Sequence, residues 1–280
     1  MSKLALHPTT ARQLEFFIKR PSHAVLITGA TGIGKTCVAE QLAEQLLGLR
    51  EGDLNDYSYI RRIRPDDGKA IGIEPIRKLE HFLSLKTPGV AHIKRIIIIE
   101  QSHMLGVEAQ NALLKTLEGP PFDTVIILTA PTTTSLLPTI QSRVQSIAIT
   151  RPSKEDLAKS MPANNFDALY AVSGGLPGLL HAMINHETPP LSEAVKLARS
   201  ILGQTHYERL LQVDVLSKNK VLAGNVLHIM QQMAFISLQT AEEPASKRWQ
   251  EIMATSYIAA EALDASGNVK LVLSNAFLKL

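Results

Sequence analysis

Eight residues, Gly29-Ala30-Thr31-Gly32-Ile33-Gly34-Lys35-Thr36, constrain this chain more than any other feature. They follow a short apolar run, Ala24 to Thr28, that reads as a buried strand. They open a segment in which Val38, Leu42, Leu46 and Leu47 recur near helical spacing, as far as a stop at Gly48. Strand, glycine-rich turn and helix in direct succession let several backbone N–H groups curl around one anion. The positive end of the helix lies behind them. The pattern G-x-x-x-x-G-K-[S/T] then gives two side chains a task. Lys35 neutralises the outer phosphates of a nucleoside triphosphate, and the Thr36 hydroxyl holds Mg²⁺. From average residue usage, a chance match in a chain of this length is roughly one in a hundred.

The rest of the front half repeats the alternation of strand and helix. Ile96 to Ile99 is the strongest strand in the sequence and ends at Glu100. Val125–Leu128 and Ile147–Ile149 read as further strands. Helices are predicted over Glu74–Leu85, over Val107–Leu117 up to the stop at Gly119-Pro120-Pro121, and over Leu136–Val144 with Pro138 in its first turn. The polar stretch Glu51–Lys69 reads as an irregular surface excursion, with Arg61, Arg62 and Arg64 in solvent; contact with DNA or a partner is the alternative for them. Such spacing indicates βαβ units and a parallel sheet.

Beyond Arg151-Pro152 the strand signals vanish. Ser153 with Asp156 resembles a helix-starting cap, and short helices are expected near 156–161, 166–172 and 177–185. His186-Glu187-Thr188-Pro189-Pro190 reads as a linker, followed by helical patterns near 191–202, 207–216, 221–238, 246–263 and 269–280. The expected division is an α/β domain (1–151), a small helical domain (152–188) and a helical bundle (189–280).

Composition excludes several classes. No stretch of the 280 residues approaches the roughly 18–20 apolar positions of a membrane span, and Met1–Leu6 has no secretory character. A cytoplasmic protein is expected. The single cysteine, Cys37, rules out an internal disulfide framework and any multi-cysteine metal site. It reads as a small packed residue, and Trp249, Met230 and Met233 read as packing within the bundle. The nine histidines show no ligand spacing. Basic residues outnumber acidic ones by 17 to 14 over residues 1–150 and balance at 12 to 12 beyond, so neither half looks like a nucleic-acid arm.

In phosphate-loop proteins a carboxylate usually ends the strand next to the loop strand, where it polarises the Mg²⁺ shell. Glu100 fits that place; a solvated strand-end charge is the alternative. Gln101 follows where an ATPase often carries a glutamate. An amide orients water but cannot accept its proton, so bound nucleotide is expected to be hydrolysed slowly. A slip of one position in the alignment is the competing explanation.

Four segments together resemble one family. They are Ser22-His23-Ala24 leading into the loop, Ile99-Glu100 with His103-Met104-Leu105, Asn111 to Pro121 (NALLKTLEGPP), and Ser142-Arg143-Val144. The chain is similar to the AAA+ clamp-loader family of bacterial DNA polymerase III, specifically over about residues 7–151. The resemblance implies an α/β AAA+ P-loop domain with a parallel sheet, then a helical lid and a C-terminal collar bundle. Gly29–Thr36 would be Walker A and Ile96–Gln101 Walker B. Thr129 would be sensor 1, and Arg143 an arginine finger reaching a neighbouring subunit's nucleotide. It further implies ATP or ADP with Mg²⁺ held by Thr36 and Glu100. The implied partners are gamma/tau-type and delta subunits, a sliding clamp, and primed DNA met through the assembly.

Three departures matter. Ser-Arg-Val stands where Ser-Arg-Cys is common. Glu51–Lys69 has no cysteines for the zinc module of relatives, so no zinc is expected. Gly175–Leu179 lacks the second-sensor arginine. The first leaves the finger itself untouched; the missing arginine, with Gln101, favours an ATP-binding, weakly hydrolysing subunit. A catalytic gamma-type ATPase or other AAA+ motor, and a nucleotide-insensitive scaffold, stay open as alternatives.

Overall fold

The computed structural model describes residues 5–50, 52–66, 69–89, 91–164, 166–184, 191–238, 242–264 and 267–280. The chain divides into two compact units, 1–152 and 153–280. The predicted linker 186–190 lies outside the described residues.

Five strands form the sheet of the first unit: β1 (Ala24–Thr28), β2 (Ile60–Ile63), β3 (Arg95–Ile99), β4 (Thr124–Ala130) and β5 (Gln145–Ala148). All pairings are parallel, in the order β2-β3-β4-β1-β5. Every residue of β1, β3 and β4 is buried. Strands covered on both faces need continuous apolar runs, which is why Ile96–Ile99 and Val125–Leu128 show no alternation.

Helices α1 (Pro8–Lys19), α2 (Lys35–Leu47), α3 (Ile73–Ser84) and α4 (Val107–Glu118) belong to this unit. Ala109, Leu113 and Leu117 fall four residues apart on α4 and pack in one cluster with Ile76, Leu79 and Phe82 of α3 and with Ile97 and Ile126 of the sheet. Burying one such side chain contributes about 1.5–3 kcal/mol. At the foot of β3, buried Arg95 donates to the carbonyls of Phe82 (3.2 Å) and Leu83 (2.6 Å) and pairs with Asp123 at 3.3 Å. The two Nη groups of that buried charge are matched by acceptors, which offsets most of the cost of burying it, while Nε has no partner among the described residues. Burial alone would raise the Asp123 carboxyl; the Thr87 hydrogen bond and Arg95 together hold it below its ordinary value.

Two expectations for this unit are corrected. Glu51–Lys69 is not wholly irregular: it contains a 3-10 turn, Asp53–Asp56, and β2, whose Ile60 and Ile63 pair with Ile96 and Ile99. Two arginines inside a four-residue strand mask the apolar pattern, and only pairing with β3 makes it a strand. The helix expected over Leu136–Val144 is a single turn, α5 (Pro138–Gln141), because Gln145 onward is claimed by pairing with β1.

The second unit is helical: α6 (Lys154–Ser160), α7 (Phe166–Ser173), α8 (Pro177–Ile184), α9 (Leu191–Gly203), α10 (His206–Leu216), α11 (Lys220–Leu238), α12 (Ala245–Asp264) and α13 (Val269–Lys279). The Ser153 hydroxyl accepts from the Asp156 amide at 3.1 Å, as the cap reading required. Thr205 and Glu208 form a reciprocal capping box on α10. Helix α11 packs against both α9 and α12, burying Leu227, Met230 and Ala234.

Candidate nucleotide site

Parallel strands place their carboxyl ends on one edge of the sheet, where loops can converge. From the end of β1 the backbone enters conformations that side chains disfavour: Gly29 at φ 152°, Gly32 at 81° and Gly34 at 95°. At Gly29 space is short as well, since a Cβ would lie 3.1 Å from Ile33 Cγ2. Gly34 caps α2 without any side-chain hydrogen bond, and the first turn holds no acidic residue. The leading N–H groups of α2 therefore carry no side-chain cap.

Lys35 folds back over this loop. Its Nζ donates to the carbonyls of Gly29 (2.7 Å) and Ala30 (2.9 Å), and burial lowers its pKa from 10.5 to about 8. The Thr36 hydroxyl donates to Glu100 Oε2 at 3.4 Å, so the two expected Mg²⁺ ligands meet. Both present hard oxygen atoms, the donor type Mg²⁺ prefers, with remaining positions left for phosphate and water. Burial first, then the charge of Glu40, raises the Glu100 pKa; Arg62, Arg64 and the Thr36 hydrogen bond oppose that rise.

The strand order corrects one expectation about Glu100. Its strand, β3, is not next to the loop strand: β4 lies between them. This brings Thr129, at the end of β4, beside the turn that follows Glu100. Gln101 N donates to Thr129 Oγ1 at 3.0 Å, and Ser102 Oγ donates to the Thr129 carbonyl at 2.9 Å. Gln101 has φ 48° and is the one non-glycine residue among those described with positive φ. The left-handed conformation costs a non-glycine residue about 1–2 kcal/mol, so the two bonds that Thr129 accepts have something to hold.

Arg143 follows α5. Its Nη1 donates to the Thr139 carbonyl (2.9 Å) and to Ser142 Oγ (3.3 Å), and its Nη2 pairs with Glu118 at 2.8 Å. Among the described residues, no hydrogen bond or ion pair joins it to Gly29–Thr36.

Sequence reading missed three contributors. Arg62 forms an ion pair with Glu40 of α2 and donates to Asn55 at 3.0 Å, tying the edge strand to the loop helix. Arg61 lies 4.4 Å above the Phe82 ring. Arg62 is half-buried, which corrects the solvent placement expected for it, whereas Arg61 stays exposed as expected. Gln110, buried on α4, donates to the Leu105 carbonyl (3.1 Å) and accepts from Leu137 N (3.0 Å). A polar residue next to Ala109 on the apolar face of a helix was the available signal, because buried amides need partners.

Among the described residues no group of three or more His, Cys, Asp or Glu could hold a metal ion, and no helix is long and apolar enough to cross a membrane.

A five-stranded parallel sheet with a phosphate loop after β1, a carboxylate ending β3 and β4 inserted between them is the AAA+ α/β fold, here followed by a helical unit. Its likeness extends over 96% of this chain and 97% of a DNA polymerase III gamma subunit-related protein from Thermotoga maritima, at TM-score 0.60 and 22% identity. The family profile described as DNA polymerase III, delta subunit, matches residues 8–153, just over half of the sequence. The chain belongs to that family. It is 34% identical to DNA polymerase III subunit delta' of Pseudomonas aeruginosa over 181 residues, 56% of this chain and 54% of that protein. It is 28% identical to subunit delta' of Haemophilus influenzae, over 48% of this chain and 44% of that protein. The chain thus spans about half the length of the curated relatives it matches.

Proposed function

We propose that this chain is the nucleotide-binding delta-prime subunit of a DNA polymerase III clamp loader, helping place a sliding clamp on primed DNA. The observation that carries this reading is the meeting of Thr36 and Glu100 at the mouth of a loop whose three glycines take glycine-favoured conformations. Gly29 to Thr36, with Ala30, Thr31 and Ile33 contributing backbone amides, would grip ATP or ADP. Thr36 and Glu100 would hold Mg²⁺, which neutralises phosphate charge when bound. Lys35 would exchange its bonds to the Gly29 and Ala30 carbonyls for phosphate oxygens.

Gln101 orients water without taking its proton, so the isolated chain hydrolyses slowly. Thr129 joins the site as the residue that fixes the Gln101 turn, in addition to its sensor position. Arg143 is donated in trans to the nucleotide of a gamma/tau-type neighbour, and delta is the other expected partner. Residues 152–188 would form the lid and 189–280 the collar that joins the subunits. DNA contact would fall on phosphates, without sequence readout.

ATP turnover by the purified chain tests the Gln101 assignment. A rate above ~1 s⁻¹ would overturn it in favour of a catalytic gamma-type role. For the finger, Arg143→Ala should bind its own nucleotide normally yet depress ATPase in the reconstituted assembly; unchanged assembly activity removes Arg143 from the site. One observation favours a second reading, a scaffold that retains the loop unused: Lys35 is already satisfied by loop carbonyls. Absence of ATP·Mg²⁺ binding in calorimetry would select it.

A further inference from the structure

Glu118 ends α4, where the negative end of the helix disfavours a carboxylate. Helix stability does not account for an acid there. Its described partner is the guanidinium of Arg143, 25 residues further along the chain, at 2.8 Å. Arginine is a long side chain with large rotamer freedom, and aiming it unaided at a phosphate forfeits that freedom at the moment of binding.

Here three N–H groups are already committed. Two on Nη1 go to Thr139 O and Ser142 Oγ, both within Arg143's own segment, and one on Nη2 goes to Glu118. Of the five guanidinium donors, the Nε hydrogen and the second Nη2 hydrogen have no partner among the described residues. Thr139 and Ser142 fix the root of the fork, and Glu118 fixes its plane from a different helix. Because the Arg143 and Glu118 side chains are 35% and 57% exposed, the ion pair is solvent-screened and adjustable, not a buried structural bridge.

We propose that Glu118 is a positioning residue for Arg143, holding the guanidinium with two donors free for the polyphosphate of a nucleoside triphosphate on an adjacent P-loop subunit. This rests on the reading of Arg143 as a finger in trans. Glu118 itself touches no substrate.

The test uses the assembly reconstituted with its P-loop partner subunits, ATP·Mg²⁺ as probe, and steady-state kinetics. Glu118→Ala should lower kcat about 3- to 10-fold with KM for ATP within 2-fold. Glu118→Gln, which keeps an acceptor oxygen, should recover most of that loss, and Glu118→Lys should exceed it. On an Arg143→Ala background, Glu118→Ala should change nothing further. The chain's own nucleotide affinity and melting temperature should stay at wild-type values in Glu118→Ala and Glu118→Gln, which separates positioning from unfolding. If Arg143→Ala lowers kcat while Glu118→Ala does not, or raises it, the positioning role is wrong and the finger stands. If Arg143→Ala leaves kcat unchanged, the finger reading fails and this inference with it. A loss from Glu118→Ala that persists undiminished on the Arg143→Ala background also overturns the inference.

Discussion

The two units of this chain spend their buried polar groups differently. In the sheet unit, buried Thr129, Ser102, Gln110 and Arg95 bond to atoms far away in sequence, and the Thr129 and Ser102 bonds join the turn after β3 to the end of β4. In the helical unit the buried polar side chains bond nearby: Ser256 to the Ile252 carbonyl, Arg209 to the Ile201 carbonyl at 2.8 Å. Among the described residues the helical unit exposes more large apolar side chains, although Phe122 of the sheet unit is the most exposed at 98%. Tyr207, Leu211 and Val215 recur every fourth residue on the outside of α10, and Tyr257, Ile258, Leu271 and Leu278 are exposed on α12 and α13. One unit ties buried polar atoms together across distant parts of its sequence. The other exposes a larger share of its apolar side chains.

This contrast can be broken by substitution. The largest expected effect is on the sheet core: Leu113→Ala should cost about 2–5 kcal/mol, read as a lower denaturation midpoint for the nucleotide-protected transition. Equal loss in a separate transition of the helical unit would deny that the units are distinct. Next is Thr129→Val, which keeps shape but strips the acceptor from Gln101 N. An unsatisfied amide costs about 1–3 kcal/mol, and hydrogen exchange at Gln101 should accelerate. Unaltered exchange there would mean that Thr129 does not hold the turn.

A third effect comes from Lys35, whose pKa of about 8 lies below its ordinary 10.5 because burial penalises the charge. Below pH 8 the free lysine is already charged, so this group adds no pH dependence to triphosphate binding. Above pH 8 the free form loses its proton, while phosphate favours the charged form. Affinity should then fall, by at most tenfold per pH unit, until the bound form also titrates. Titrations between pH 7 and 10 check the sign; a rise in affinity across that window contradicts it. The smallest effect belongs to the helical unit: Thr205→Ala removes a local capping box and should cost about 1 kcal/mol without altering nucleotide affinity.

Legibility in the sequence follows the same division between near and far. The phosphate loop, β1, β3, α4 and the Ser153 cap were readable because their signals lie within a few residues. Strand β2 was not, since its identity depends on the pairing of Ile60 and Ile63 with Ile96 and Ile99 across the sheet. The placement of β4 between β1 and β3 was equally hidden, because strand order is a non-local property. The individual site residues were named from their motifs. Their couplings, Gln101 to Thr129 and Arg143 to Glu118, span 28 and 25 residues and appear only in the folded chain.

Calorimetric titration of the purified chain with ATP·Mg²⁺, run beside Lys35→Ala, tests the nucleotide site most directly. A single saturable site in the wild type, weakened roughly 100-fold (about 3 kcal/mol) by the substitution, is the predicted result. Absence of binding to the wild type, or equal binding by the two proteins, would contradict it.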